Sequence, residues 1–320
     1  MSKVGLINRI VENLKLAKNQ SEKQEILTQY QKESQLKKIL NIVYNPWIDL
    51  KLQDFQPKYM GKQFGMGIAQ FMHVIEDIIS GAFDQREAEF ACRMAMNHIN
   101  SDDAELFLSI LRQNLGTDLE IATINAVWPG LIADYPIRLA QPGDLKTFDQ
   151  FPAAVQPLSQ GLRVNIVVSD GEVSFRDKTG EVIQGWDQYA EQFLNLAQGQ
   201  NTVYDGHAVV ADGNKISETD NEVVLVANPD NVRFILWDAI RYDGFIQGED
   251  TRIGYNWRYN GIEHMMMLAL DKNKSPCYDL LKAEMVGSQE QLQETAKRLG
   301  SCVVKPMDSV WRQGETTEEI

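Results

Sequence analysis

The chain has 320 residues, 43% of them hydrophobic and 24% charged, with a formal net charge of −14. This is ordinary globular composition, long enough for two domains with a core each. No apolar run reaches the roughly 18–20 residues that span a bilayer. The N-terminal residues Met1 to Ile10 lack an apolar segment followed by a cleavage site. Cys92, Cys277 and Cys302 are too few and too scattered for a disulfide framework or a zinc site. A soluble protein of a reducing cytoplasm, with no membrane partner, is expected. Charge is unevenly placed: residues 1–62 carry 11 Lys and Arg against 6 Asp and Glu, a net of +5, which leaves −19 for the remainder. A basic arm of this kind can grip a polyanion, or can simply solvate amphipathic helices.

In chain order, Ser21-Glu22-Lys23-Gln24 has the spacing of a capping box. Ile26, Leu27, Tyr30, Leu36, Ile39 and Leu40 follow it with helical period until Pro46. Further helices are predicted over Ile68–Ile79, Asp84–Ile99, Ser101–Asn114 (capped by Ser101) and Asp118–Val127. Trp128-Pro129-Gly130 ends the helical region. A connector with Pro and Gly leads to Arg163–Val168 and Glu172–Phe175, which read as a β-hairpin around Asp170-Gly171. Trp186–Leu196 and Thr251–Leu270 are predicted helices. Strands are predicted at Thr202–Tyr204, Ala208–Val210, Glu222–Ala227, Arg233–Trp237 and Cys302–Val304. The expectation is an all-α domain followed by an α+β domain, with no internal repeat.

Several segments carry a family resemblance in matching order. Ile124-Asn-Ala-Val-Trp-Pro-Gly-Leu-Ile132, following Asn114-Leu-Gly-Thr117, resembles the end of the DNA-binding domain of T-even bacteriophage ATP-dependent DNA ligases. Ser21–Leu27, Gln63-Phe-Gly-Met66, Phe151-Pro-Ala153, Phe234-Ile-Leu-Trp-Asp238 and Tyr255-Asn-Trp-Arg258-Tyr259 look like the same family. The resemblance implies a helical DNA-binding domain at 1–132, a connector at 133–150 and a nucleotidyltransferase-like (ATP-grasp-like adenylation) domain at 151–320. In the family a helical domain clamps nicked duplex, and a lysine takes AMP from ATP with Mg²⁺. The AMP passes to the 5′-phosphate of the nick and the 3′-hydroxyl displaces it, and a C-terminal oligonucleotide-binding (OB) barrel closes over the nick.

The chemistry that this family needs is eroded. Its Lys-x-Asp-Gly-x-Arg motif falls on Leu158-Ser-Gln160-Gly161-Leu-Arg163. The nucleophile must be an amine with a free lone pair; Leu158 has none, and its plain role is to pack beneath a nucleotide pocket. Gln160 stands for the Asp, whereas Gly161 and Arg163 are retained and can still shape the turn and meet a phosphate. The family's Asp-Gly-Glu falls on Asp205-Gly206-His207, where His207 is either a lone metal ligand or an ordinary pocket histidine. Ser-Arg-x-Gly falls on Asp177–Gly180, with Lys178 for the arginine. Phe234 either stacks on a purine or packs in the core. Lys305 matches the lysine of the Glu-Gly-x-x-x-Lys motif, whose Glu is replaced by Gly300. The final Lys-x-Lys pair has no match between Trp311 and Ile320, and no OB barrel is expected. No catalytic residue and no metal site are assigned. Cofactors are expected only if the nucleotide site still works, in which case they are ATP and Mg²⁺.

For DNA the candidates are Lys58, Lys62, Gln63, Thr117 and Arg258; the last of these is otherwise a helix-surface ion pair. Such groups hold phosphates and carry little sequence information. Asp118, at the predicted start of a helix, would cap it and repel phosphate. Three functions fit: a ligase-like protein of replication or repair that binds nicked or duplex DNA without charging itself, a subunit of a split ligase, or a protein-interaction module or decoy that binds a phage or host replication protein.

Overall fold

A computed structural model of the chain describes residues 3–141, 143–212, 215–217 and 229–316. It falls into two compact units, Met1–Asp134 and Tyr135–Ile320. Residues 135–150 therefore pack with the second unit, to which they contribute strand β1 (Arg138–Ala140) and a 3₁₀ turn at Leu145–Thr147.

The first unit is helical: α1 (Lys3–Leu16), α2 (Gln20–Gln29), α3 (Ser34–Tyr44), α4 (Met72–Ile79), α5 (Gln85–His98), α6 (Ser101–Leu111) and α7 (Ile121–Val127). α1 buries Ile7, Ile10, Val11 and Leu14, the one-sided stripe of a helix laid on a core. α6 buries Ala104, Leu106, Phe107, Leu108, Ile110 and Leu111, so apolar groups surround it, and α1 and α3 pack against it.

Helix starts differ in detail from expectation. Asn19, not Ser21, caps α2 by accepting the Glu22 amide, and Asn100, not Ser101, caps α6 by accepting the Asp103 amide. Asn caps as well as Ser, so the oxygen standing one or two residues earlier takes the role. α5 does open on a reciprocal capping box between Asp84 and Glu87. α7 begins at Ile121 rather than Asp118. Asp118 adopts φ 45°, and its carbonyl accepts from Gln20 Nε2 and Lys23 Nζ, both at 2.7 Å. After α7, the Trp128 indole donates to the Gln31 carbonyl at 2.9 Å, and the Asn125 side chain clasps both backbone groups of Ile132. The Trp-Pro-Gly segment is thus a clasp that closes the helical unit.

The second unit is built on a sheet of order β4 (Glu172–Arg176), β3 (Leu162–Ser169), β5 (Thr202–Asp212), β7 (Val232–Arg241), β9 (Tyr278–Leu280), with β6 (Lys215–Ser217) also on β5. All pairings are antiparallel except β7–β9. The expected hairpin is present: Ser169 pairs with Glu172, and Asp170 and Gly171 both take positive φ, as a two-residue type I′ turn requires. The two short strands predicted around Asp205-Gly206-His207 are one continuous β5, because β3 and β7 pair with it on both sides. The predicted strand Glu222–Ala227 lies outside the described residues.

One face of the sheet carries Val164, Ile166, Tyr204, Ala208, Phe234 and Leu236, packed with Trp186 and with Phe193 of α8 (Ala190–Ala197). A smaller sheet, β10 (Glu284–Val286), β2 (Ala153–Pro157), β11 (Cys302–Pro306), packs against α11 (Gln289–Leu299). The unit also contains α9 (Tyr242–Ile246), β8 (Glu249–Asp250), α10 (Tyr255–Ala269), β12 (Trp311–Arg312) and β13 (Gly314–Thr316), the last parallel to β1. Among the described residues these sheets are open, and none closes into a barrel. No described helix is long and apolar enough to cross a membrane.

Candidate functional site

Alternation along β3 and β5 puts Arg163 and Asn165 opposite His207 and Asp205, on the face of the sheet away from the aromatic core. Arg163 meets Asp205 through two hydrogen bonds, Nε to Oδ1 at 3.1 Å and Nη2 to Oδ2 at 2.7 Å. Its Nη2 also donates to the Arg138 carbonyl at 2.7 Å. Asn165 Nδ2 adds a third donor to Asp205, at 3.0 Å. A carboxylate has about four acceptor positions, so this buried one is largely committed.

Between the pairs Asp205–Asp238 and Gly206–Leu236 the register slips by one, which leaves Trp237 as the extra residue of a β-bulge. A bulge re-aims its side chain. Here the indole stands edge-on to His207, with ring centroids 4.5 Å apart, and lies 5.6 Å below the Arg163 guanidinium. Burial pushes His207 down to about 4, Arg163 adds to that push and Asp205 opposes it; the imidazole is neutral at pH 7. Its Nδ1 lies 3.3 Å from Ser159 Oγ.

The loop 158–161 joins β2 to β3 over this cluster. Gly161 is required there: its φ is 145°, and a Cβ would come within 2.8 Å of the Ala208 carbonyl. Leu158 is anchored by its amide to the Ser301 carbonyl at 2.9 Å, yet its side chain is 57% exposed. It does not pack beneath a pocket as expected. A carbon chain stands in water where the resemblance places an amine, and Gln160 beside it is exposed.

Lys305 of β11 is buried, its Nζ 4.8 Å from the Tyr255 ring centre. It faces a second buried carboxylate, Asp238. Burial alone would raise that carboxyl, but Arg258, with Lys305 and Arg138, holds it below the usual carboxylate range.

Three residues proposed from sequence are placed differently. Arg258 is 2% exposed; it binds Asp238 and the carbonyls of Ile253 and Ser309, so its guanidinium cannot present itself to DNA. Thr117 is buried with its hydroxyl 2.6 Å from that of Tyr44, a core hydrogen bond and not a phosphate contact. Phe234 is wholly buried among Phe175, Trp186, Tyr189 and Phe193, so no purine can reach it. The aromatic that the bulge turns to the site face is Trp237; a strict two-residue alternation along β7 could not have shown this.

Lys178 stands exposed in the turn after β4, which the Asp177 carboxylate shapes through the Thr179 and Glu181 amides. The buried cation of that segment is Arg176, which donates to the Gly180 carbonyl at 2.9 Å. Among the described residues no group of three His, Cys, Asp or Glu side chains is placed to hold a metal ion. Lys58, Lys62 and Gln63 are all exposed, on the loop before the Ile68 turn.

This architecture, a helical unit followed by an α+β nucleotidyltransferase-like unit, has relatives. The chain is 22% identical over 243 residues to the DNA ligase of Enterobacteria phage T6, covering 71% of this chain and 50% of the ligase. It is 23% identical over 219 residues to that of Enterobacteria phage T4, covering 65% and 44%. The solved structure Pmar-Lig_PreS3 shares the fold, with a TM-score of 0.50 at 14% identity over 98% of this chain and 77% of that one. No family model matches. The chain is a DNA ligase-like protein, similar to the DNA ligases of these two phages. It spans about half the length of the two phage ligases it matches.

At the positions where the sequence resemblance puts the motifs of that class, the residues present do not fit its covalent chemistry. Position 158 offers no lone pair, positions 160 and 207 offer no carboxylate, and Asp205 is held by Arg163 and Asn165.

Proposed function

We propose that this protein binds nicked or duplex DNA through its helical unit and does not charge itself with AMP. The observation that carries the reading is Leu158. It stands where the sequence resemblance puts the family's lysine, and its side chain has no nucleophilic atom. The phage relatives bear the name DNA ligase, which supports DNA as the partner; ATP and Mg²⁺ are what that class implies for an active member. Two cations that such binding would use, Lys58 and Lys62, are exposed and form no ion pair among the described residues. Retained scaffold around a lost nucleophile is what a DNA-holding protein of replication or repair would keep.

A titration of the full chain against labelled nicked and intact duplex, repeated at several salt concentrations, tests the reading. Binding that weakens steeply with salt supports it, because phosphate contacts release counterions. Absence of binding at low salt overturns it and favours a protein partner.

A further inference from the structure

Nine residues of the helical unit, Lys58 to Met66, hold a concentration of exposed apolar groups: Tyr59, Met60, Phe64 and Met66. Phe64 is 93% exposed, the most of any large hydrophobic side chain described. Single exposed apolar residues are unremarkable, but a cluster of them in one short segment marks a contact surface.

The segment is also held rigidly. The Lys62 amide donates to the Ile99 carbonyl at 2.8 Å and the Ser101 amide to the Lys62 carbonyl at 3.0 Å. Four residues on, the Met66 amide donates to His98 at 2.9 Å and the Asn100 amide to Met66 at 2.8 Å. Between these anchors the Gly65 amide closes a tight turn onto the Lys62 carbonyl at 3.2 Å, with Phe64 at its tip. A Cβ at Gly65 would collide with the Ile99 carbonyl, so the turn lies flat on the α5–α6 junction only with glycine there. Asp103 is buried beneath, accepting from the Ile68 amide, Asn100 and Asn8, so its charge is spent inside the fold.

The result is a preformed apolar tip flanked by Lys58 and Lys62. We propose that Phe64 is a wedge that enters the minor groove of bound duplex and loosens a base step, while Lys58 and Lys62 hold the flanking phosphates. Apolar side chains inserted in this way partly unstack base steps, and prior rigidity lowers the ordering cost of binding. Those two exposed lysines favour a polyanion over an apolar protein groove. The inference rests on the DNA-binding reading above.

The test uses the full chain and a nicked duplex carrying 2-aminopurine, with affinity read by anisotropy and unstacking by the rise in 2-aminopurine fluorescence. Phe64→Ala is expected to weaken binding about tenfold, as loss of a base-stacking ring does, and to abolish the fluorescence rise without changing the salt slope. Phe64→Leu, still apolar, is expected to retain most of both signals. Lys62→Ala is expected to lower the salt slope by about 0.9. Because Phe64 is exposed, thermal unfolding of the variants should match that of the parent. If the parent binds and Phe64→Ala binds equally well, the wedge is wrong and DNA binding stands. If the parent does not bind at all, both fall.

Discussion

Arg258 and Asp238 form a two-point ion pair inside the second unit, Nε to Oδ1 at 2.8 Å and Nη2 to Oδ2 at 3.1 Å, with both side chains almost wholly buried. The pair links α10 to β7, and Arg258 Nη1 continues it to the carbonyls of Ile253 and Ser309. Removing one partner of such a pair leaves a buried charge uncompensated, which costs about 3–5 kcal/mol. Arg258→Met should therefore lower stability by about that amount in chemical denaturation, while Arg258→Met with Asp238→Asn should lose less. The salt dependence of DNA binding should not change. A reduced salt slope with unaltered stability would return Arg258 to the DNA surface.

Phe234 belongs to the aromatic core of the second unit. Truncating a buried aromatic leaves a cavity and costs about 3–5 kcal/mol, so Phe234→Ala should show that loss in a denaturant titration. If its stability stays within about 0.5 kcal/mol of the parent, as at an ordinary surface position, the ring is free enough to serve a ligand.

His207 gives a pH dependence. Its folded pKa is about 4, below the 6.5 of the free side chain, so the unfolded chain binds the proton more tightly. Its contribution to stability is fully present above about 6.5, is lost as pH falls, and is gone below about 4. His207→Gln should flatten the stability profile between those limits relative to the parent. An unchanged slope would mean that the ring is hydrated and not held against Trp237.

Much of the architecture was legible in the chain. The helix over Asp84–Ile99 and the Asp170-Gly171 turn are local signals that the structure obeys, whereas the helical stretch expected to run to Pro46 is broken between Gln29 and Ser34. The site was legible only through the spacing of Gly161, Arg163 and Asp205. Trp237 was not, because a bulge depends on the partner strand and breaks the alternation. Burial of Arg258 and Thr117 was hidden for a related reason: a polar residue in a helix or loop reads as surface until its partner, Asp238 or Tyr44, is known. β2, β9 and β10 are short and pair with distant segments, so they carry almost no local pattern.

Thr117 provides a compact check on the first unit. Thr117→Val removes one hydrogen bond to the Tyr44 hydroxyl, a loss of about 0.5–1.5 kcal/mol. Thermal or denaturant unfolding should register it, with nicked-duplex affinity unchanged once folding is complete. Weakened affinity at full stability would restore Thr117 as a phosphate contact.

The central claim, that the chain cannot charge itself, is tested most directly by incubating it with α-labelled ATP and Mg²⁺ and resolving the products by denaturing electrophoresis. The account predicts no label on the protein, and none on Leu158→Lys either, because Gln160 and His207 still supply no carboxylate. A covalent AMP adduct on the parent chain would contradict it and point to a substitute amine, with Lys305 and Lys178 the first to be replaced.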